Sequence, residues 1–168
     1  SEPLIVVDNG AILYLNEKSF VQNGYSTNWN AGGILVSSAT LSINGGTIQN
    51  NTAYYSGAAL KSYRGTIAFQ YGAIDNNKTI DSSSGGGGAI QMAGGTLTMQ
   101  NGSISNNYSP YSGGAIFASS DAYASSITIK GGTITNNSSS NGGFITVYTS
   151  GTSTDPRPII NIEAGNIY

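Results

Sequence analysis

The residues of this chain that could do acid–base chemistry are its eight carboxylates: Glu2, Asp8, Glu17, Asp75, Asp81, Asp121, Asp155 and Glu163. A glycosidase needs two carboxyl groups flanking one bond, and a lyase needs a carboxylate cluster with Ca²⁺, Arg or Lys nearby. Asp121 with Asp155 is the best pair, because both fall in the loop between the first and second strands of adjacent repeats. The others are spread mostly one to a repeat, as solvated turn residues are. There is no histidine, and no cysteine to serve as a nucleophile or soft metal ligand. A calcium-binding nonapeptide is not matched either, since Gly85 to Gly88 is followed by Ala89 and Ile90. The expectation is therefore a chain without catalytic residues, metal or cofactor, with a polysaccharide-binding or polysaccharide-degrading (lyase or hydrolase) β-helix as the alternative.

The second chemistry on offer is stacking. Tyr25 and Trp29, Tyr54 and Tyr55, and Tyr108 and Tyr111 occur in equivalent connections, each ahead of a glycine-rich step. Trp29, Tyr55 and Tyr111 come two or three residues before those glycines, which places them on one edge of a repeating structure. Exposed rings on a rigid edge suit stacking against a sugar or burial in a protein partner. The competing reading has them packing over the corner to protect the strand beneath.

Both sets of residues depend on a repeat centred on Gly86 to Asn107, GGGAIQMAGGTLTMQNGSISNN. Ile90 and Met92, Leu97 and Met99, and then Ile104 alternate inward in short runs separated by Gly94-Gly95 and Asn101-Gly102, which is the period of strands. Copies follow at Gly113 and Gly142 and precede at Gly57 and Gly32, with a degenerate first copy through Leu4 and Val6, Leu13 and Leu15, then FVQN from Phe20. About six units of roughly 22 to 33 residues have the period of a solenoid, in which each unit buries its apolar face only against its neighbours. The fold expected is all-β: a right-handed, single-stranded parallel β-helix of about six three-strand coils, spanning residues 1–168 as one domain. Asn23, Asn51, Asn77, Asn107 and Asn137 each come three residues after the last apolar residue of a copy. Coiling would stack them into a ladder that satisfies buried turn amides without charge.

Composition bounds the remaining function classes. Charged residues are 8% of 168, the net charge is −2, and Lys18, Lys61, Arg64, Lys78, Lys130 and Arg157 are dispersed, so no basic patch for nucleic acid is present. No apolar run approaches the length of a membrane-spanning helix, so this segment is not expected to insert directly into a membrane. Its start at Ser1 and its end at Tyr168, where another Asn corner is due, read as a segment of a longer surface protein, with neighbouring coils of the parent chain as partners. A third reading, ice binding, requires flat ranks of outward threonine. Thr96, Thr98, Thr128, Thr133 and Thr135 hint at one, but Ala68, Gln70, Ala73 and Lys130 interrupt it, and threonine is in any case a good strand former.

The recurring GGAI at Gly87 and Gly113, GGIL at Gly32, GAAL at Gly57 and GGFI at Gly142 pair with FVQN at Phe20 and with IQNN, IDNN, ISNN and ITNN at Ile48, Ile74, Ile104 and Ile134. This pairing of GGA[ILV] with FxxN resembles the repeats of chlamydial polymorphic outer-membrane proteins and of Gly/Asn/Thr-rich adhesin-like surface proteins of gut bacteria and archaea, although Ile replaces Phe in four of the five copies. The resemblance implies an extracellular or cell-surface adhesin-type β-helix, a rigid spacer and binding surface for a host-cell protein or glycan. It carries over no catalytic residue.

Overall fold

Equivalent residues of successive copies lie directly over one another. Ile5, Ile34, Leu60, Ile90, Ile116 and Ile145 are register partners in parallel strands. One turn therefore takes 29, 26, 30, 26 and 29 residues in succession. The computed structural model describes residues 2–120, 123–141, 143–149 and 156–168. Among these there is no helix, every strand pairing is parallel, and the chain is a β-solenoid of five closed turns followed by strands of a sixth.

The coil has four sides, one more than the sequence pattern predicts. The first side carries Ile34–Ser37 and its register partners, the second Leu41 and Ile43 with theirs, and the third Ile48 with its own. The fourth is a two-residue rung, Tyr25–Ser26, Thr52–Ala53, Lys78–Thr79, Tyr108–Ser109 and Ser138–Ser139, which forms a separate five-stranded sheet. Its inward residues are Ser26, Ala53, Thr79 and Ser109, all buried. They are too small and too polar to register as an apolar strand, which is why alternation of hydrophobic residues reveals only three sides.

Inside, like stacks on like. Ile34, Leu60, Ile90 and Ile116 form one column, Leu41, Ile67, Leu97 and Ile127 a second, Ile43, Phe69, Met99 and Ile129 a third, and Ile48, Ile74, Ile104 and Ile134 a fourth, all essentially inaccessible. Each such side chain contributes about 1.5–3 kcal/mol of gross burial. No coil could bury these faces without the next one.

In the first coil Leu13 and Leu15 point inward as expected, but on the first and third sides the phase differs by one residue from the expected one. Leu4 and Val6 are exposed, and Ile5 and Val7 point inward; Phe20 is exposed and Val21 is buried. Because strand side chains alternate with period two, a one-residue slip exchanges the inner and outer sets. The FVQN match puts Phe20 in the inward slot, whereas the coil above it requires Val21, the register partner of Ile48.

That slip decides which asparagines form the ladder. Asn51, Asn77, Asn107 and Asn137 are buried and stacked. The Asn51 backbone N–H and Nδ2 both donate to Asn77 Oδ1 at 3.0 Å, Asn77 repeats this to Asn107, and Asn107 to Asn137. Each Nδ2 also donates to a backbone carbonyl of the preceding coil, Val21, Ile48, Ile74 and Ile104 in turn. Asn23 is not a rung. It is exposed, and the position beneath Asn51 belongs to Gly24, whose N–H donates to Asn51 Oδ1 at 2.9 Å. Asn23 instead heads a second series with Asn50, Asn76, Asn106 and Asn136, all with φ between 53° and 62°. Asparagine tolerates this left-handed conformation, which turns the chain into the buried corner. At the next corner, where the fourth side leads into the first, Gly57, Gly87 and Gly113 have positive φ, and a Cβ there would collide with the carbonyl oxygens of Leu60, Ile90 and Ile116.

Candidate functional site

Alternation on the first side sends two ranks of side chains outward. One rank runs Leu35, Lys61, Gln91, Phe117, Thr146, and the other Ser37, Tyr63, Ala93, Ser119, Tyr148. The connections that lead into this side rise beside the first rank, and together they enclose a groove of about 370 Å³.

One wall comes from the entering connections. Trp29 stacks on Tyr55 with ring centroids 4.1 Å apart and planes 9° from parallel, and Tyr54 meets Tyr55 edge-on at 4.7 Å. Trp29 and Tyr111 face the groove, with Ser83, Ser84 and Gly85 filling the coil between them. The Asp81 carboxylate organises that stretch. It accepts from Ser83 Oγ, from Ser84 Oγ at 2.6 Å and from Ser84 N at 2.9 Å. The Ser84 hydroxyl is the main reason the carboxyl titrates below its ordinary range, with desolvation opposing it and the remaining hydrogen bonds from Ser83 and Ser84 adding to it.

The other wall is the second rank, where Tyr63 and Tyr148 bracket the small residues Ala93 and Ser119. Tyr63 is held by the Arg64 guanidinium, which lies over the rings of both Tyr63 and Tyr123 at 4.8 and 4.7 Å from their centroids. Tyr148 stacks over Phe117 at 6.2 Å. The floor is Lys61, Gln91 and Phe117. Lys61 Nζ donates to the Trp29 carbonyl at 2.6 Å, fixing the base of the wall. Gln91 is 7% exposed, and its Oε1 has no hydrogen-bond partner.

Of the six aromatic residues singled out in the sequence, the structure brings together Trp29, Tyr54 and Tyr55, and sets Tyr111 on the same wall as Trp29. Tyr25 and Tyr108 do not join them. They are outward residues of the short fourth side, separated by Thr52 and Lys78. Sequence reasoning missed Tyr63, Phe117, Tyr148 and Gln91. The alternation that marks Leu60, Ile90 and Ile116 as inward marks these residues as outward, so the signal was present but was used only for the core. The threonines considered for an ice-binding plane divide between sides: Thr96, Thr98 and Thr128 on the second, Thr133 and Thr135 on the third.

Asp121, Asp155 and Gly142 lie outside the described residues. Among the described residues no group of three or more His, Cys, Asp or Glu could hold a metal ion, and no helix is long and apolar enough to cross a membrane. Comparison with family models, curated proteins and solved structures returned no match.

Proposed function

We propose that this chain is a binding solenoid of the extracellular, adhesin type, and that its ligand is a carbohydrate held in the groove on the first side. The observation that carries the reading is the groove's lining: flat rings on two facing walls, with amide and hydroxyl groups between them. Pyranose rings present an apolar face and a rim of hydroxyls, so such a lining satisfies both at once. The mechanism is equilibrium binding. Strands hydrogen-bonded to the coils above and below hold the walls in place, which lowers the ordering cost on association.

A protein segment suits this groove less well. The floor strands already have both backbone edges paired within the solenoid, so an incoming peptide finds no edge to extend. Its own amides would have to be satisfied by side chains alone.

The test is an immobilised glycan array, probed with the wild-type chain and with Trp29→Ala combined with Tyr111→Ala. Saturable binding to a defined glycan set, lost in the double variant at unchanged β-sheet circular dichroism, supports the reading. Binding unaffected by the double variant removes the groove from it. Shortening of the arrayed chains would reveal turnover and reopen the polysaccharide-degrading alternative.

A further inference from the structure

The polar groups of the groove are not neutral about what they accept. Ser83 and Ser84 Oγ both donate to Asp81, and Ser119 Oγ donates to the Met92 carbonyl at 3.4 Å, so the three hydroxyl protons are directed away from the groove. What these hydroxyls turn toward a ligand is lone pairs. Gln91 Oε1 is a fourth acceptor, buried and without a donor. An acceptor left unpaired out of water is costly, and a ligand that brings a donor relieves that cost. The amide turns about a soft terminal torsion, so Oε1 can swing to meet it.

The groove is also short along the solenoid axis. Tyr63, Ala93, Ser119 and Tyr148 occupy one rank in consecutive coils, three steps of about 4.8 Å, or roughly 14 Å from one tyrosine to the other. A polymer running along this rank meets Tyr63 at one end and Tyr148 at the other. At one end the Lys61 side chain further ties the floor to Trp29, and at the other Phe117 and Tyr148 stack together.

We propose that the groove recognises the end of an uncharged glycan chain, one or two sugar units seated over Ala93 and Ser119 between Tyr63 and Tyr148, and that Gln91 is the residue that reads their hydroxyl donors. This rests on the carbohydrate reading of the groove given above. A uronic or sulfated sugar would set its acceptor oxygens against those of Ser83, Ser84, Ser119 and Gln91, and the Lys61 ammonium on the floor is already engaged by the Trp29 carbonyl, so such a sugar is disfavoured.

The experiment uses an array of neutral and acidic glycans from mono- to hexasaccharide, followed by calorimetric titration of the best-bound neutral series. Affinity is expected to level off at the disaccharide, changing less than about twofold out to the hexasaccharide. Gln91→Leu should weaken binding about tenfold or more, and Ala93→Phe, which fills the space between the tyrosines, should abolish it. Gln91 and Ala93 point away from the solenoid core and are buried only by the groove walls, so unfolding midpoints are measured beside affinity; if Ala93→Phe misfolds, Ser119→Tyr closes the same space from the next coil. Affinity that climbs with every added sugar, a preference for acidic glycans, or binding retained in both space-filling variants would overturn the chain-end assignment while leaving the carbohydrate reading standing. No binding to any arrayed glycan, or binding to a peptide library instead, would overturn both.

Discussion

Asn77 gives both its backbone N–H and its Nδ2 to a single atom, Oδ1 of Asn107, at 2.9 and 3.0 Å. The same geometry relates Asn51 to Asn77 and Asn107 to Asn137, so one residue type closes the buried corner in four successive coils. Asn77→Ala strips Asn51 of its acceptor and leaves the carbonyls of Ile48 and Asp75 without the amide that Asn77 supplies. Because the corner is buried, the loss is expected to be about 2–5 kcal/mol. Chemical denaturation measures it, and a loss under 1 kcal/mol would mean the ladder is ornamental to stability.

Asn23 supplies the internal control. It is exposed and turns the chain at φ 62° without a place in the ladder. Asn23→Gly should be nearly neutral, and Asn23→Ala should cost no more than about 1–2 kcal/mol for its left-handed backbone. A cost equal to that of Asn77→Ala would mean that the first coil is in the other register.

The columns of Ile, Leu and Val, the parallel coiling and four of the five ladder asparagines can be read from the chain, because apolar residues at period two within a long repeat leave few other folds. The phase of the first strand of the first coil cannot. Leu4, Ile5, Val6 and Val7 are all apolar, so alternation there has two solutions, and only pairing with Ile34 and Val36 selects one. The groove was half legible for a similar reason. Trp29 and Tyr111 draw attention as loop aromatics, but Gln91 and Ala93 become part of a site only when the register sets them between rings from other coils.

The aromatic residues should separate in binding assays as they do in space. Trp29→Ala and Tyr111→Ala are each expected to weaken glycan binding about tenfold, near the 1.4 kcal/mol that a stacked ring contributes at the upper end. Tyr25→Ala and Tyr108→Ala, on the fourth side, should leave affinity within about twofold. Equal losses from all four would place the ligand across the corner and outside the groove.

Acid should loosen the wall beside Gln91. The Asp81 carboxyl lies below its ordinary value of 3.8, with its hydrogen bond from Ser84 as the leading cause. A depressed carboxyl stabilises its surroundings above the unfolded value, and that contribution is lost as pH falls from 3.8 through the folded value. Amide exchange at Ser84 is therefore expected to accelerate, relative to its intrinsic rate, over that window. In Asp81→Asn the acceleration should be absent, with exchange fast throughout. Wild-type exchange that stays flat through acid would contradict the assignment.

The chain has a single tryptophan, so the groove carries its own reporter. In an NMR titration with the best-bound neutral oligosaccharide, the indole N–H of Trp29 and the side-chain amide of Gln91 are expected to shift together and saturate at one ligand per chain. The ladder amides of Asn51, Asn77, Asn107 and Asn137 should stay where they are. Saturable binding that moves resonances of the second or fourth side while Trp29 and Gln91 remain still would contradict the groove as the place where this solenoid meets its ligand.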